Sequence, residues 1–228
     1  MKGNVKMLKV VVFDGGFGGE LFADYIEEKM PILDVIRVID WRNANQLLKN
    51  TRVARKATEA AIKPYIGRVD LIVFANLFVA ITSLKYFRKK YAGQKFIGLG
   101  LPEIGVDKDW SPVLVLTTRT LAKSLKFRQY LFRTKRRAST VCLDEWPGLI
   151  DDGELSELKI RDDLRNVLMR KKDIPGEIVL GCSQFRDIEN TLYKIFEQDV
   201  KIRDDFKRTF IEMCDILKLR GARVKRKK

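Results

Sequence analysis

The sequence predicts an α/β fold built from two similar halves, each a parallel sheet flanked by helices, with the functional site in the cleft between them. Three observations carry this. Short β-branched or apolar runs alternate with longer helical stretches, the pattern of parallel strands covered by helices. Periodicity is interrupted once, over Leu101 to Pro112, where Pro102, Gly105 and Pro112 fall together. In each half one apolar strand runs into small polar residues, Leu71–Asn76 in the first and Ile178–Ser183 in the second. Strand ends of this kind are where open α/β sheets hold ligands.

Taken in chain order, strands are expected over Met7 to Asp14, Val35 to Trp41, Asp70 to Asn76 and Lys95 to Leu101, then Val113 to Thr118, Thr140 to Asp144, Glu177 to Ser183 and Val200 to Arg203. Helical periodicity occupies Ala44 to Ile66, Ser156 to Lys172, Asp187 to Gln198 and Asp205 to Leu219. The expected division is a first half over residues 1–104 containing the glycine-rich turn after Asp14, a second half over 105–220 containing Cys182, and a basic tail over 221–228.

Composition limits the chemistry. The chain has 228 residues and is 46% hydrophobic, enough for a substantial core, and its apolar runs stop far short of a membrane span. Its start does not read as a secretory signal and three scattered cysteines fit a reducing compartment, so a cytoplasmic protein without membrane contact is expected. Histidine is absent, which excludes Ser/His/Asp and Cys/His nucleophile systems and His-ligated metal. Proton transfer near neutral pH falls to a thiol, a carboxylate or an amine.

The net charge of +15 is localised. Trp110 to Leu143 holds eight Lys or Arg and no acid, Leu217 to Lys228 holds seven and no acid, and the remainder is balanced. At 100° per residue, Arg119, Lys123, Lys126, Arg133 and Arg137 form one stripe of a helix, opposite Leu121, Leu125 and Phe132. Such a face either is simply solvated or, with the tail, holds a nucleic acid or another polyanion. A homodimer is also open.

Phe13-Asp14-Gly15-Gly16-Phe17-Gly18-Gly19 comes after a strand and precedes a helix, but matches neither a dinucleotide nor a Walker fingerprint. It resembles the opening Asp-Ser-Gly-x-Gly-Gly of glutamate racemases and the wider aspartate/glutamate racemase superfamily, with Gly15 at the serine. Further similarities occur in the same order along the chain. Ile97 to Pro102 resembles Ile-Gly-Val-Ile-Glu-Pro, with Leu101 at the glutamate. Leu116, Thr118, Ser124 and Phe127 fit a Leu-Ala-Thr, Ser, Tyr spacing. Trp146 to Leu149 resembles Cys-Pro-x-Leu, and Gly181-Cys182-Ser183-Gln184-Phe185 resembles Gly-Cys-Thr-His-Tyr.

The resemblance implies proton transfer at the α-carbon of an acidic amino acid or related carboxylic acid, without a cofactor. In that family two thiols serve opposite faces of the carbon. Here Ala75-Asn76-Leu77 stands where the family has Cys-Asn-Thr, and Asn45, Gln46 and Leu47 stand at the Pro-Tyr-Gly of a clamp whose Asp40 and Lys49 persist. Cys182 is therefore the expected acid/base, with Asp14 as a second catalytic candidate. Gly15, Asp40, Asn76, Thr118, Ser183 and Gln184 are the expected substrate contacts. The residues leave other roles open: a packed thiol for Cys182, a helix cap for Asp14, a turn closure for Asn76, and a snorkelling stem or an anion contact for Arg128. Cys142 and Cys214 are expected to pack. Besides racemase-like chemistry, a one-cysteine decarboxylase-like enzyme and a non-catalytic descendant that binds a small acid or polyanion stay open.

Overall fold

A computed structural model describes residues 7–104, 111–134, 136–169, 175–196 and 200–219. It contains two four-stranded, wholly parallel sheets flanked by helices. The chain divides into one unit made of residues 1–100 with 206–228, and another made of 101–205. The basic tail 221–228 lies outside the described residues.

The first unit has strands β1 (Lys9–Asp14), β2 (Asp34–Ile39), β3 (Leu71–Phe74) and β4 (Phe96–Gly98), in the order β2-β1-β3-β4. Its helices are α1 (Phe17–Lys29), α2 (Ala44–Leu47), α3 (Thr51–Ile62) and α4 (Leu77–Lys90). Val10, Val11, Val12 and Phe13 are fully buried, because a strand covered on both faces needs continuous apolar residues and not alternation. Edge strand β2 is half-buried and sends Arg37 to Glu20, Asp24 and Glu27 of α1. The stretch expected to be helical over Ala44 to Ile66 is broken at Asn50, whose side chain accepts from the Arg52 and Val53 N–H groups and so starts α3 afresh.

The second unit repeats this plan with β5 (Val113–Thr117), β6 (Ala138–Cys142), β7 (Glu177–Gly181) and β8 (Lys201–Arg203), in the order β6-β5-β7-β8. Its helices are α5 (Arg119–Ala122), α6 (Leu125–Arg133), α7 (Trp146–Asp151), α8 (Glu157–Leu168) and α9 (Glu189–Ile195). Every expected strand has a counterpart. At the amino end of the sheet, fully buried Glu177 meets Arg136 at 2.6 Å and Arg203 at 2.5 Å, and Arg136 also donates to the Ser111 carbonyl. This ionic cluster ties β7 to β8 and to the segment leading into β6.

Two expectations are corrected by the structure. The basic stripe requires one helix through residue 137, but Thr118 and Ser124 cap two separate short helices, and Arg137 lies in the extended lead into β6. Arg119, Lys123, Lys126 and Arg133 are exposed, but they do not share a single helical face with Arg137. Nor is the opposite face uniformly apolar and packed: Leu121 is buried, whereas Leu125 and Phe132 are exposed. Sequence order groups the last helix, α10 (Phe206–Ile216), with the second half, yet it belongs to the first unit. Phe206 packs edge-on to Phe22 with ring centres 4.9 Å apart, and Phe210 meets Tyr25 at 5.8 Å. Apolar complementarity with α1 therefore decides where α10 goes.

Candidate active site

In both sheets the chain leaves the central strand toward one neighbour and later returns on the other side. The connections diverge at the carboxyl ends of β1/β3 in the first unit and β5/β7 in the second, which is where open parallel sheets place ligands. Asp14, Gly15, Ala75 and Asn76 lie at the first of these positions, and Thr118, Cys182, Ser183 and Gln184 at the second.

In the first unit Asp14 is almost completely buried at the end of β1. Its Oδ1 accepts from the Gly15 N–H at 2.6 Å and from the Asn76 amide at 2.9 Å. The Asn76 carbonyl oxygen in turn accepts from the Val79 N–H at 3.1 Å, so one side chain both caps α4 and holds the carboxylate. Gly16, which precedes α1, has no side chain with which to cap it. Gly19 is required for close approach: a Cβ there would lie 2.6 Å from both Asp14 Cβ and Ile39 Cδ1. Asp40 is spanned by the Asn43 amide, at 3.0 and 2.9 Å to its two oxygens, and Lys49 is exposed. Ala75 is fully buried, and its N–H bonds to the Phe13 carbonyl.

In the second unit a glycine again permits a close approach, because a Cβ at Gly181 would lie 2.7 Å from the Leu116 carbonyl oxygen. The half-buried Cys182 comes next, and its Sγ donates to Gln184 Oε1 at 3.0 Å. Gln184 Nε2 donates to both oxygens of Asp151 at 3.1 Å. The carboxylate fixes the amide orientation, because the flipped amide would turn its oxygen toward Asp151. An amide oxygen facing sulfur accepts the S–H hydrogen bond but does not remove the proton. Ser183 is buried in the turn after Cys182. Thr118 is buried too, and its hydroxyl accepts from the Leu121 N–H as the cap of α5.

Asp151 is not among the sequence candidates. It ends α7, which Trp146 anchors against Phe185 with ring centres 5.6 Å apart. Its contact with Gln184 spans 33 residues, and no local spacing announces it. A cavity of about 330 Å³ lies elsewhere in the same unit, lined by Arg119, Cys142, Asp144, Trp146, Lys159 and Asp163 among others. Cys142 is exposed there, contrary to the packed role expected of it. Partial desolvation and then the Asp144 carboxylate hold its thiol above the ordinary range, which suits neither nucleophile nor base. Burial and then Asp215 do the same to the half-buried Cys214. Among the described residues, no three His, Cys, Asp or Glu side chains are grouped to hold a metal, and no helix is long and apolar enough to cross a membrane.

Comparison with known proteins adds ancestry to this geometry. No protein-family model matches the chain. A glutamate racemase of Clostridium novyi is 27% identical over 219 residues, covering 92% of this chain and 83% of the relative. The glutamate racemase of Proteus mirabilis is 27% identical over 214 residues, covering 86% and 71%. The chain is a homologue of the glutamate racemases. Solved structures support the same fold: Escherichia coli glutamate racemase, in complex with L-glutamate and the activator UDP-MurNAc-ala, matches with a TM-score of 0.79 at 20% identity, over 93% of this chain and 83% of that one. The RacE1 glutamate racemase of Bacillus anthracis matches at 0.76 and 17% identity over 96% and 85%, and Picrophilus torridus aspartate racemase at 0.60 and 14% over 96% of each chain. Within this homologue, the structure puts Asp14, Gly15 and Asn76 together in one unit and Cys182 and Gln184 together in the other, whereas Asp40 and Thr118 are bonded locally.

Proposed function

We propose that the chain performs glutamate racemase-like proton transfer at the carbon next to the carboxylate of an amino acid or related acid, with Cys182 as the proton-bearing group. The observation that carries this is the Cys182–Gln184–Asp151 series, which presents an S–H at the carboxyl end of β7. A thiol delivers a proton to an adjacent carbanion, and the thiolate so formed can take one back from the same face. Inversion needs a proton carrier for the opposite face. At the position where the resemblance places a second thiol, the chain has the methyl group of Ala75, so exchange proceeds with retention and inversion is slow or absent.

Asp14 and Asn76 support an ammonium-bearing substrate, because a buried carboxylate gains from a cation nearby. Gly15, Ser183 and Gln184 complete the proposed contacts, and no cofactor enters the proposal. Exposed Lys126, Arg128 and Arg133 support a polyanion as a second partner, bound less tightly as salt rises. The test of the main proposal is loss of the α-proton signal of D- and L-amino acids in deuterated water. Wild type is expected to exchange it, and Cys182→Ala to do so at background rate. Equal exchange by the two proteins would remove Cys182 from the mechanism.

A further inference from the structure

Helix α6 turns two of its apolar side chains away from the core of its own unit. Its inner side is set by Phe127, which is buried, and by half-buried Tyr130, whose hydroxyl donates to the Pro102 carbonyl oxygen at 2.9 Å. The outer side carries Phe132 at 90% and Leu125 at 67% exposure. At about 100° per residue these two, seven positions apart, lie within about 20° of each other and form one ridge. Arg128 falls about 60° to one side of Leu125 and Lys126 about 100° to the other, with Arg133 beside Lys126. All three cations are exposed, and among the described residues none of them is in an ion pair. On α8, by contrast, Arg161 pairs with Glu157 and Arg165 with Asp162, as on an ordinary solvated helix.

We propose that this face docks on the surface of an anionic phospholipid bilayer, with Phe132 and Leu125 entering the headgroup region and Lys126, Arg128 and Arg133 meeting lipid phosphates. The inference rests on the polyanion reading of these cations and names the partner. An apolar ridge left in water gains by entering the interface, and cations on both of its flanks add attraction to a negative surface. Charge complementarity selects the anionic lipid, since residues 110–143 hold eight Lys or Arg and no acid to repel it. A single-stranded nucleic acid suits the face less well. Its bases stack on successive aromatic rings, but Leu125 offers none and the Tyr130 ring lies against Phe127 with ring centres 6.1 Å apart. The expectation of no membrane contact concerns spanning segments. Among the described residues no helix is long and apolar enough to cross a bilayer, and a contact at its surface needs only the exposed ridge.

The test is co-sedimentation of the full chain with vesicles of phosphatidylcholine alone and with vesicles of equal parts phosphatidylcholine and phosphatidylglycerol, at low and high salt. Binding is expected to the anionic vesicles only, and to weaken as salt rises. Phe132→Ser is expected to weaken it at least about tenfold, and Lys126→Gln combined with Arg133→Gln on the order of twentyfold. The melting temperature of both variants is expected to stay at the wild-type value, because all three side chains are exposed. No binding to anionic vesicles would overturn the inference. So would equal binding by wild type and Phe132→Ser, which would assign the lipid contact to charge elsewhere on the chain. Binding of poly(U) RNA without binding of vesicles would overturn the membrane partner and keep the polyanion reading, and binding of neither would overturn both.

Discussion

At the scale of single residues, the direction of one amide sets which of its atoms Cys182 meets. Gln184 turns its oxygen toward Cys182 because Asp151 claims its N–H groups. In Asp151→Asn the new side chain can accept or donate, so the Gln184 amide is free to turn its N–H toward sulfur and favour the thiolate. The expected result is a pH–rate profile for exchange displaced to lower pH, measured against wild type, with Cys182→Ala inactive throughout. A purely structural Asp151 would lower the rate without moving the profile. Cys182, Asp14 and Asn76 are legible in the sequence because the motifs around them are contiguous. Asp151 and the packing of Leu47 on Gly15 are not, since each depends on a partner dozens of residues away that only the fold brings near.

At the scale of elements, short caps override long periodicities. A helical reading from Arg119 to Arg137 gives a coherent basic stripe, but Ser124 accepts from the Phe127 N–H and starts a new helix, changing the angular phase of every later residue in the stripe. Ser124→Ala is expected to cost about 1 kcal/mol, measured by chemical denaturation. The strands are legible because runs such as Val10–Phe13 and Val113–Leu116 are buried on both faces and carry little else. The docking of α10 is not, because sequence order says nothing about which sheet a terminal helix covers. Phe206 is 1% exposed, and Phe206→Ala is expected to destabilise the first unit by about 3–5 kcal/mol. In the second unit, Glu177→Ala removes the carboxylate that pairs with the buried Arg136 guanidinium, and a loss of stability is expected by chemical denaturation. Retention of wild-type stability by either variant would show that these contacts do not hold their elements.

At the scale of the whole molecule, two units repeat one strand order, and each brings its own chemical character to the carboxyl end of its sheet: a buried carboxylate with apolar neighbours in the first, a thiol in the second. Charge also acts at this scale through pH. Hydrogen bonds from Arg37 hold the Glu27 carboxyl below its usual range, outweighing its partial desolvation. A lowered folded value means that the contribution is complete above the unfolded carboxylate range, roughly pH 4–5, and is lost as pH falls through the folded value. The melting temperature is therefore expected to fall on acidification below about pH 4, and to fall less steeply in Arg37→Met. Parallel curves for the two proteins would exclude Arg37 as a source of the acid sensitivity.

The stereochemistry of exchange tests the central claim most directly. A single enantiomer of the preferred amino acid is incubated in deuterated water, and the product is resolved on a chiral column with its deuterium content read by mass spectrometry. With one thiol and Ala75 in place of another, deuterium is expected to enter with the starting configuration preserved, and Ala75→Cys is expected to raise the yield of the opposite enantiomer. Rapid formation of both enantiomers by the wild-type protein would contradict the account, because a proton carrier for the second face would then have to exist.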